Sequence, residues 1–180
     1  MNLNPKRVLA IDPTSRGFGF VVLESPATLV DWGVKVIRQP NETRAMARVL
    51  DLVRHYMPEI ILVEDHNKGS RRCARIQSML AGVGRLATEE GLKIRHVSVS
   101  RVKEVFRTFR AHTKHEIAHA VAQQLPELAP RLPPYRKAWM SEDYQMAIFD
   151  AAAFALTYFL SLPVWTRDKA KQNSSTRTET

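Results

Sequence analysis

Short apolar runs alternate with longer amphipathic segments along most of this chain. Two runs of four apolar residues, 8–11 and 60–63, predict buried strands. Gly17-Phe18-Gly19 indicates a turn, so the runs on either side of it predict the start of an antiparallel meander. The strand that follows a helix at residue 60 is expected to be parallel to its neighbour. The predicted strands are 8–11, 20–24, 29–37, 60–63 and 93–99.

Helical periodicity is clearest in two segments. Residues 43–57 place Met46, Val49 and Val53 on one face, and residues 70–90 carry an apolar stripe that includes Met79 and Val83. Shorter helices are predicted at 100–109 and 113–125, a proline-rich loop at 126–134, and a final helix at about 141–160. Strands followed by alternating helices and strands predict an α/β fold, a sheet with helices on its faces.

Length and composition predict one domain. The 180 residues, 44% of them hydrophobic, are enough for one sizeable core, which we assign to residues 1–166. Residues 167–180 are polar and lack aromatic side chains, so a disordered tail is predicted. The apolar stretch 146–164 contains Asp150 and predicts no bilayer span. The only cysteine, Cys73, excludes an internal disulfide framework and favours a reducing, cytoplasmic location.

The charge balance favours a polyanionic partner. Lys and Arg number 27 against 18 Asp and Glu, giving a formal net charge of +9. Such basicity suits a protein that binds nucleic acid, but it also suits ribosomal and membrane-surface proteins. The sequence contains no P-loop and no dinucleotide glycine fingerprint, so no nucleotide cofactor is expected. Arg71, Arg72 and Arg75 form either a phosphate-contacting surface or a solvated helix end.

Three acidic residues occur where acids are unexpected. Asp12 and Glu64 each follow a predicted central strand, at the edge where α/β sheets bind ligands. Asp150 lies in the run 146–156, in which every other residue is apolar, so it needs a cation partner, a metal ion or exposure on a narrow edge. If the three converge, their oxygens suit Mg²⁺, and two such ions would cleave a phosphodiester.

The same residues resemble the RuvC-type Holliday junction resolvases of the ribonuclease H-like superfamily. The segment 8–20 looks like the first-strand motif of that family, 61–64 resembles its second acidic strand, and 149–156 is similar to its last helix. The resemblance covers residues 7–160 and implies a mixed five-stranded sheet flanked by helices. It also implies a homodimer that cleaves branched DNA in recombination and repair with Mg²⁺, for which Mn²⁺ substitutes.

The resemblance assigns roles residue by residue. Asp12, Glu64 and Asp150 would be metal ligands and catalytic residues, and Lys103 and Lys114 would contact the DNA backbone. The family's usual acid or histidine one helical turn before the last aspartate is replaced here by Ala147, and the aromatic found after the second acidic strand in some members is missing. Asp143 either compensates as a further catalytic acid or caps the helix N-terminus together with its neighbours.

One competing motif points elsewhere. His115-Glu116-Ile117-Ala118-His119 matches the H-E-x-x-H pattern of zinc peptidases, with Glu142 a conceivable third ligand. Thr113 and Glu116 also form the spacing of a capping box, which gives the glutamate a structural task. Within the resemblance two alternatives stay open, an RNA-processing ribonuclease and a DNA-binding module without catalysis.

Overall fold

The fold is a mixed five-stranded sheet with helices on both faces, seen in a computed structural model that describes residues 7–38, 41–65, 74–137 and 139–175, with side chains described up to residue 161. The strand order is β3-β2-β1-β4-β5, with β1, β2 and β3 antiparallel and β1, β4 and β5 parallel. The sheet predicted from the sequence is therefore confirmed. The strands are β1 (Val8–Thr14), β2 (Gly17–Ser25), β3 (Thr28–Val36), β4 (Ile60–Glu64) and β5 (Lys93–Val97).

The turn between the first two strands differs from the prediction. It is formed by Ser15 and Arg16, and Gly17 and Gly19 both lie in β2. A Cβ atom at Gly17 would lie 1.9 Å from the carbonyl oxygen of Lys35 on β3, and its φ of 149° disfavours L side chains. Gly17 therefore allows a close contact between β2 and β3, and β1 continues past Asp12 to Thr14.

The helices match the predicted segments closely apart from the last one. Asn41 caps α1 by accepting a hydrogen bond from the N–H of Arg44, and Ser98 caps α3 in the same way. The proline-rich loop is a 3-10 helix, Pro126–Arg131. The α-helices are α1 (Glu42–Tyr56), α2 (Ala74–Glu89), α3 (Val99–Arg107), α4 (Lys114–Gln124) and α5 (Met146–Ser175).

The last helix is shifted relative to the prediction. It begins at Met146 instead of residue 141, and it continues to Ser175 instead of ending near Leu160. The described helix therefore enters the segment 167–180, for which the sequence predicted a disordered tail. The division at residue 166 stays a prediction, because side chains after residue 161 lie outside the described part. No helix among the described residues is long and apolar enough to cross a membrane.

Alternation along the central strands divides the core into two halves. Val8 and Ala10 of β1 pack on the side of α3, α4 and α5, whereas Leu9 and Ile11 pack on the side of α1 and α2. Strand β4 alternates in the same way. Since successive strand residues point to opposite faces, the position of each residue in the strand decides which helices it meets.

The apolar stripe of α2 packs within the chain. Met79 and Val83 are buried in the core half that α1 completes, and Gly82 lets the two helices approach, since a Cβ there would lie 2.9 Å from the sulfur of Met46. An apolar stripe of this kind can pack against its own sheet or form an interface between two copies of the chain. Burial within the chain accounts for the stripe, and the homodimer stays a prediction.

Candidate active site

Two of the acidic side chains lie side by side on one face of the sheet. Asp12 continues the alternation of Val8 and Ala10, and Glu64 continues that of β4, so both lie on the face covered by α5. The parallel register pairs Ile11 with Val63, which brings the next residues of both strands together. The Asp12 and Glu64 residues are only 5% and 8% exposed.

A glycine brings α5 to these strands. Gly19 on β2 is the register partner of Asp12, and a Cβ atom there would lie 2.4 Å from the carbonyl carbon of Ala147 on α5. This contact leaves no room for any other side chain at position 19. Asp150 follows Ala147 by three residues, which places it about one helical turn further along α5.

The three acids share one cavity. Asp12, Glu64 and Asp150 line a space of about 320 Å³ together with Lys103 and Lys114. The structure therefore brings the three acids to one cavity, and their use as metal ligands stays a prediction. A larger adjoining cavity of about 740 Å³ is lined by a set that again includes Asp12, Lys114 and Asp150 and adds Arg16, Arg136, Glu142, Asp143, Tyr144 and Ala147.

Lys114 at the start of α4 supplies the positive charge in this site. Its ammonium nitrogen lies 2.8 Å from Oδ2 of Asp150 and also forms an ion pair with Glu142. Burial raises the pKa of the Asp150 carboxyl to about 6 in spite of the lysine, with Glu142 and Glu64 adding to the rise. Burial by itself would lower the pKa of Lys114, but the two carboxylates raise it above its usual value. The acidic pocket therefore attracts a cation.

The described side chains do not form a ready-made metal site. No group of three or more His, Cys, Asp or Glu residues in the described ranges stands close enough to hold an ion. Binding of a metal by the Asp150 oxygen that contacts Lys114 would require the lysine to release it. The donor set nonetheless fits a hard divalent ion, because three carboxylates face one cavity in which an ammonium group already neutralises one of them.

Asp143 lies in the turn before α5, so it does not share a helical face with Asp150. Its Oδ1 accepts the N–H of Gln145, its carbonyl accepts the N–H of Met146, and its Oδ2 lies 2.9 Å from Arg136. These bonds stabilise the turn that leads into the helix, but α5 begins at Met146 and has no acid in its first turn, so the prediction that Asp143 and its neighbours cap the helix N-terminus is wrong. Asp143 also lines the larger cavity, so its use as a further acid stays a prediction.

Of the three arginines expected to contact nucleic acid, the structure describes only one. Arg75 on α2 donates to the carbonyl oxygen of Ser15 at 2.9 Å, which ties α2 to the turn that follows Asp12. Arg71 and Arg72 lie outside the described residues. Sequence reasoning did not identify Arg136. This residue lies in a loop, where no helical or strand periodicity indicates its ion pair with Asp143.

The zinc-peptidase motif has a structural explanation. The Glu116 carboxylate accepts the backbone N–H groups of His112 and Thr113, which completes the capping box of α4 predicted from the sequence. Glu142, the conceivable third ligand, instead pairs with Lys114. His115 and His119 do face each other, with their Nε2 atoms 3.1 Å apart, but Glu116 is engaged as a cap.

Comparison with known proteins identifies the fold. No family model matches the chain, and no curated protein matches it in sequence. Among solved structures, Thermus thermophilus RuvC matches with a TM-score of 0.65 at 22% identity, over 89% of this chain and 97% of that one. The chain has the RuvC fold. The resemblance seen in the sequence is thereby confirmed at the level of structure, and the α/β fold is of the ribonuclease H-like type.

Two further structures agree with the assignment of a RuvC fold. The complex of T. thermophilus RuvC with a Holliday junction substrate gives a TM-score of 0.65 at 21% identity, over 88% of this chain and 96% of that one. The fowlpox virus Holliday junction resolvase gives 0.57 at 15% identity, over 87% and 99%. All three matches span nearly the whole of the other chain, so the likeness concerns the complete fold.

Proposed function

We propose that this chain is an endonuclease that cleaves branched DNA with the help of divalent metal ions. The observation that carries the proposal is the shared cavity of Asp12, Glu64 and Asp150 at the strand edge of a RuvC fold. Proteins of this fold include one solved with a Holliday junction substrate. A net charge of +9 suits a polyanionic substrate.

Each residue has a task in this proposal. Asp12, Glu64 and Asp150 hold Mg²⁺, or Mn²⁺ in its place, which supplies an activated water and stabilises the leaving oxygen. The α5 helix brings Asp150 to the two strand acids and keeps bulk water from the buried side of the pocket. Lys103 and Lys114 line the same cavity and contact the phosphate next to the cleaved bond.

The ion pair of Lys114 implies an order of events. While Asp150 is bound to the ammonium, its negative charge is compensated and Lys114 is held away from a phosphate. Release of Lys114 from Asp150 both vacates a carboxylate oxygen and provides a cation for the DNA backbone. We therefore propose that assembly of the site requires Lys114 to exchange its carboxylate partners for phosphate.

Cleavage of a four-way junction tests the proposal. The purified protein is incubated with a junction, a linear duplex of the same sequence and an RNA–DNA hybrid, each with Mg²⁺, Mn²⁺ or a chelator. We expect metal-dependent cleavage of the junction above the other two substrates. Preferred cleavage of the hybrid would support the ribonuclease alternative, and no cleavage of any substrate would refute the nuclease.

Single substitutions assign the activity to the cavity. Asp12→Asn, Glu64→Gln and Asp150→Asn should each reduce cleavage by at least about 100-fold, since even the loss of outer-shell partners of a metal costs about 10- to 100-fold. Junction affinity without metal should be retained. Asp51→Asn is the matched control, because Asp51 lies on α1 with a side chain that is 67% exposed.

A DNA-binding module without catalysis is the second candidate. The ion pair between Lys114 and Asp150 favours it, as does Ala147 at the position where the family carries a further ligand. Titration calorimetry separates the two candidates: a nuclease binds Mn²⁺ and loses that binding in Asp12→Asn, whereas a module binds junction DNA and no divalent ion. The homodimer and a cytoplasmic location remain our proposals, the first testable by light scattering.

A further inference from the structure

An exposed aromatic–basic cluster lies in the loop before α5. We define it as Tyr135, Arg136, Lys137, Trp139 and Tyr144. The three aromatic residues are 74%, 80% and 62% exposed, in that order, and no other Phe, Tyr or Trp of the described side chains is comparably open to solvent. Aromatic groups gathered at one place on a surface mark an interaction site more often than isolated ones do.

The surroundings hold the cluster in position. The guanidinium of Arg136 donates to the carbonyl oxygen of Ser141 and pairs with Asp143, and the ring of Tyr135 packs edge-on against His115 with centroids 5.4 Å apart. The ammonium of Lys137 lies 5.9 Å from the ring centre of Trp139. The loop therefore presents rings and positive charges together.

The cluster borders the acidic site. Arg136 and Tyr144 line the same 740 Å³ cavity as Asp12 and Asp150. Tyr135 and Lys137 line a neighbouring cavity of about 420 Å³ together with Lys114, Arg136 and Asp143. A polymer whose phosphate backbone crosses the acids would therefore pass these side chains, and Trp139 adjoins them through its contact with Lys137. Trp, Tyr and Arg also gather in protein interfaces, but the cavity shared with the acids and the net charge of +9 favour a nucleic acid, which needs both charge for its phosphates and flat faces for its bases.

We propose that the aromatic–basic cluster is a stacking site for unpaired bases of the DNA held in the acidic cavity. Trp139 provides the main stacking face, Tyr135 and Tyr144 provide neighbouring faces, and Lys137 contacts a phosphate beside the stacked base. This inference rests on the proposed function, because it assigns the region where branched DNA departs from regular pairing.

Equilibrium binding without metal tests the stacking site separately from catalysis. The ligands are a four-way junction, a duplex with a short single-stranded gap, and an intact duplex. Trp139→Ala should weaken binding of the junction and the gapped duplex by about 5- to 100-fold, in line with the energy of stacking one base on an aromatic ring. Binding of the intact duplex should change less than about threefold. Trp139→Phe should retain most of the affinity.

A matched control and a salt series complete the experiment. Met57→Ala removes another large exposed side chain at the opposite edge of the sheet, before β4, and should leave all three affinities unchanged. Lys137→Gln should reduce the salt dependence of binding by about one unit of slope, as expected for one lost phosphate contact.

The possible results decide between stacking and other roles. Equal losses for gapped and intact DNA in Trp139→Ala, or no loss for either, would overturn the proposal, and so would a Phe variant as weak as the Ala variant. If the Trp139→Ala variant formed particles of a different molecular mass in solution from those of the wild type, the cluster would be assigned to self-association instead. If the protein never cleaves a junction but discriminates gapped DNA through Trp139, the proposed nuclease fails while the stacking site stands.

Discussion

The ammonium nitrogen of Lys114 lies 2.8 Å from Oδ2 of Asp150, so the last acid of the site has a cation partner within the chain. The contact joins the first turn of α4 to α5 across the cavity that Asp12 and Glu64 also line. If the proposed site binds a metal through Asp150, this binding requires release of the lysine.

Lys114→Met should tighten Mn²⁺ binding by about tenfold. The metal no longer displaces an ammonium group from Asp150, and coupling between close charge pairs amounts to about 1.5 kcal/mol or more, which is about a factor of ten. Titration calorimetry measures the affinity. Lys103→Met removes the same charge from the same cavity and serves as the control. Equal affinity gains in both variants would show a general charge effect without direct competition.

Gly19→Ala should destabilise the protein and Gly84→Ala should stabilise it. A Cβ at position 19 would lie 2.4 Å from the backbone of Ala147, whereas one at position 84 in α2 meets nothing within 4 Å. Overpacking costs about 1–3 kcal/mol, and replacing a helical glycine gains about 0.5–1 kcal/mol.

Thermal unfolding followed by circular dichroism measures both variants. With about 2–4 °C per kcal/mol for a domain of this size, Gly19→Ala should lower the Tm by roughly 2–12 °C and Gly84→Ala should raise it by roughly 1–4 °C. An unchanged Tm in Gly19→Ala would mean that α5 does not pack this closely on β2.

The capping box of α4 should make stability depend on pH in the acidic range. Backbone N–H donors from His112 and Thr113 lower the pKa of the Glu116 carboxyl below its usual value. A lowered folded-state pKa contributes stability above the unfolded value of about 4.3, and that contribution is lost as pH falls through the folded value. Urea unfolding of wild type and Glu116→Gln should therefore differ at pH 7 and converge near pH 2.

Thr113→Ala removes the other half of the box and should cost about 1 kcal/mol at neutral pH. Neither substitution should abolish an enzymatic cleavage activity, whereas replacing the catalytic glutamate of a zinc peptidase would. If Glu116→Gln abolished a zinc-dependent activity while α4 stayed folded, the capping interpretation of this motif would be incomplete.

Tyr56 provides a second pH dependence at the alkaline end. Burial, followed by its hydrogen bond to the carboxylate of Asp31, raises the pKa of the phenol to about 12. The folded state therefore keeps the proton longer than the unfolded chain, whose tyrosine ionises near pH 10. The stability from this contact is complete below pH 10 and is lost between pH 10 and 12.

Denaturant unfolding of wild type and Tyr56→Phe across this range checks the assignment. The stability difference between them should shrink steadily above pH 10. Asp31→Asn should bring the phenol of Tyr56 to a lower pKa in an ultraviolet titration, since it removes the negative charge beside it. A phenol that ionises near pH 10 in the wild type would contradict the hydrogen bond.

Much of the fold and the core of the site follow from local pattern. The runs before Asp12 and Glu64 predict buried parallel strands, and a parallel pair brings both carboxyl ends to one edge. Asp150 stands out because its neighbours are apolar. These signals reside in a few adjacent residues, which is why they can be read without the structure.

The remaining features depend on contacts between distant residues. In the sequence Gly19 looks like a turn glycine. Its role in helix packing is evident only from the structure, where a Cβ atom at this position would lie 2.4 Å from the backbone of Ala147. Asp143 has the spacing of a helical residue, but its bonds to Arg136 and Gln145 hold it in a turn before the helix. The partner of Lys114 is likewise set by how α4 packs on α5, which no periodicity encodes.

The even spacing from Val8 to Asp12 and from Ile60 to Glu64 has an evolutionary consequence. Both acids face α5 because each lies an even number of residues from the start of its strand, so a one-residue insertion or deletion in either strand would turn its acid toward α1 and α2. Related sequences that keep the proposed activity are therefore expected to vary these strands by substitution, while changes of length collect in the loops.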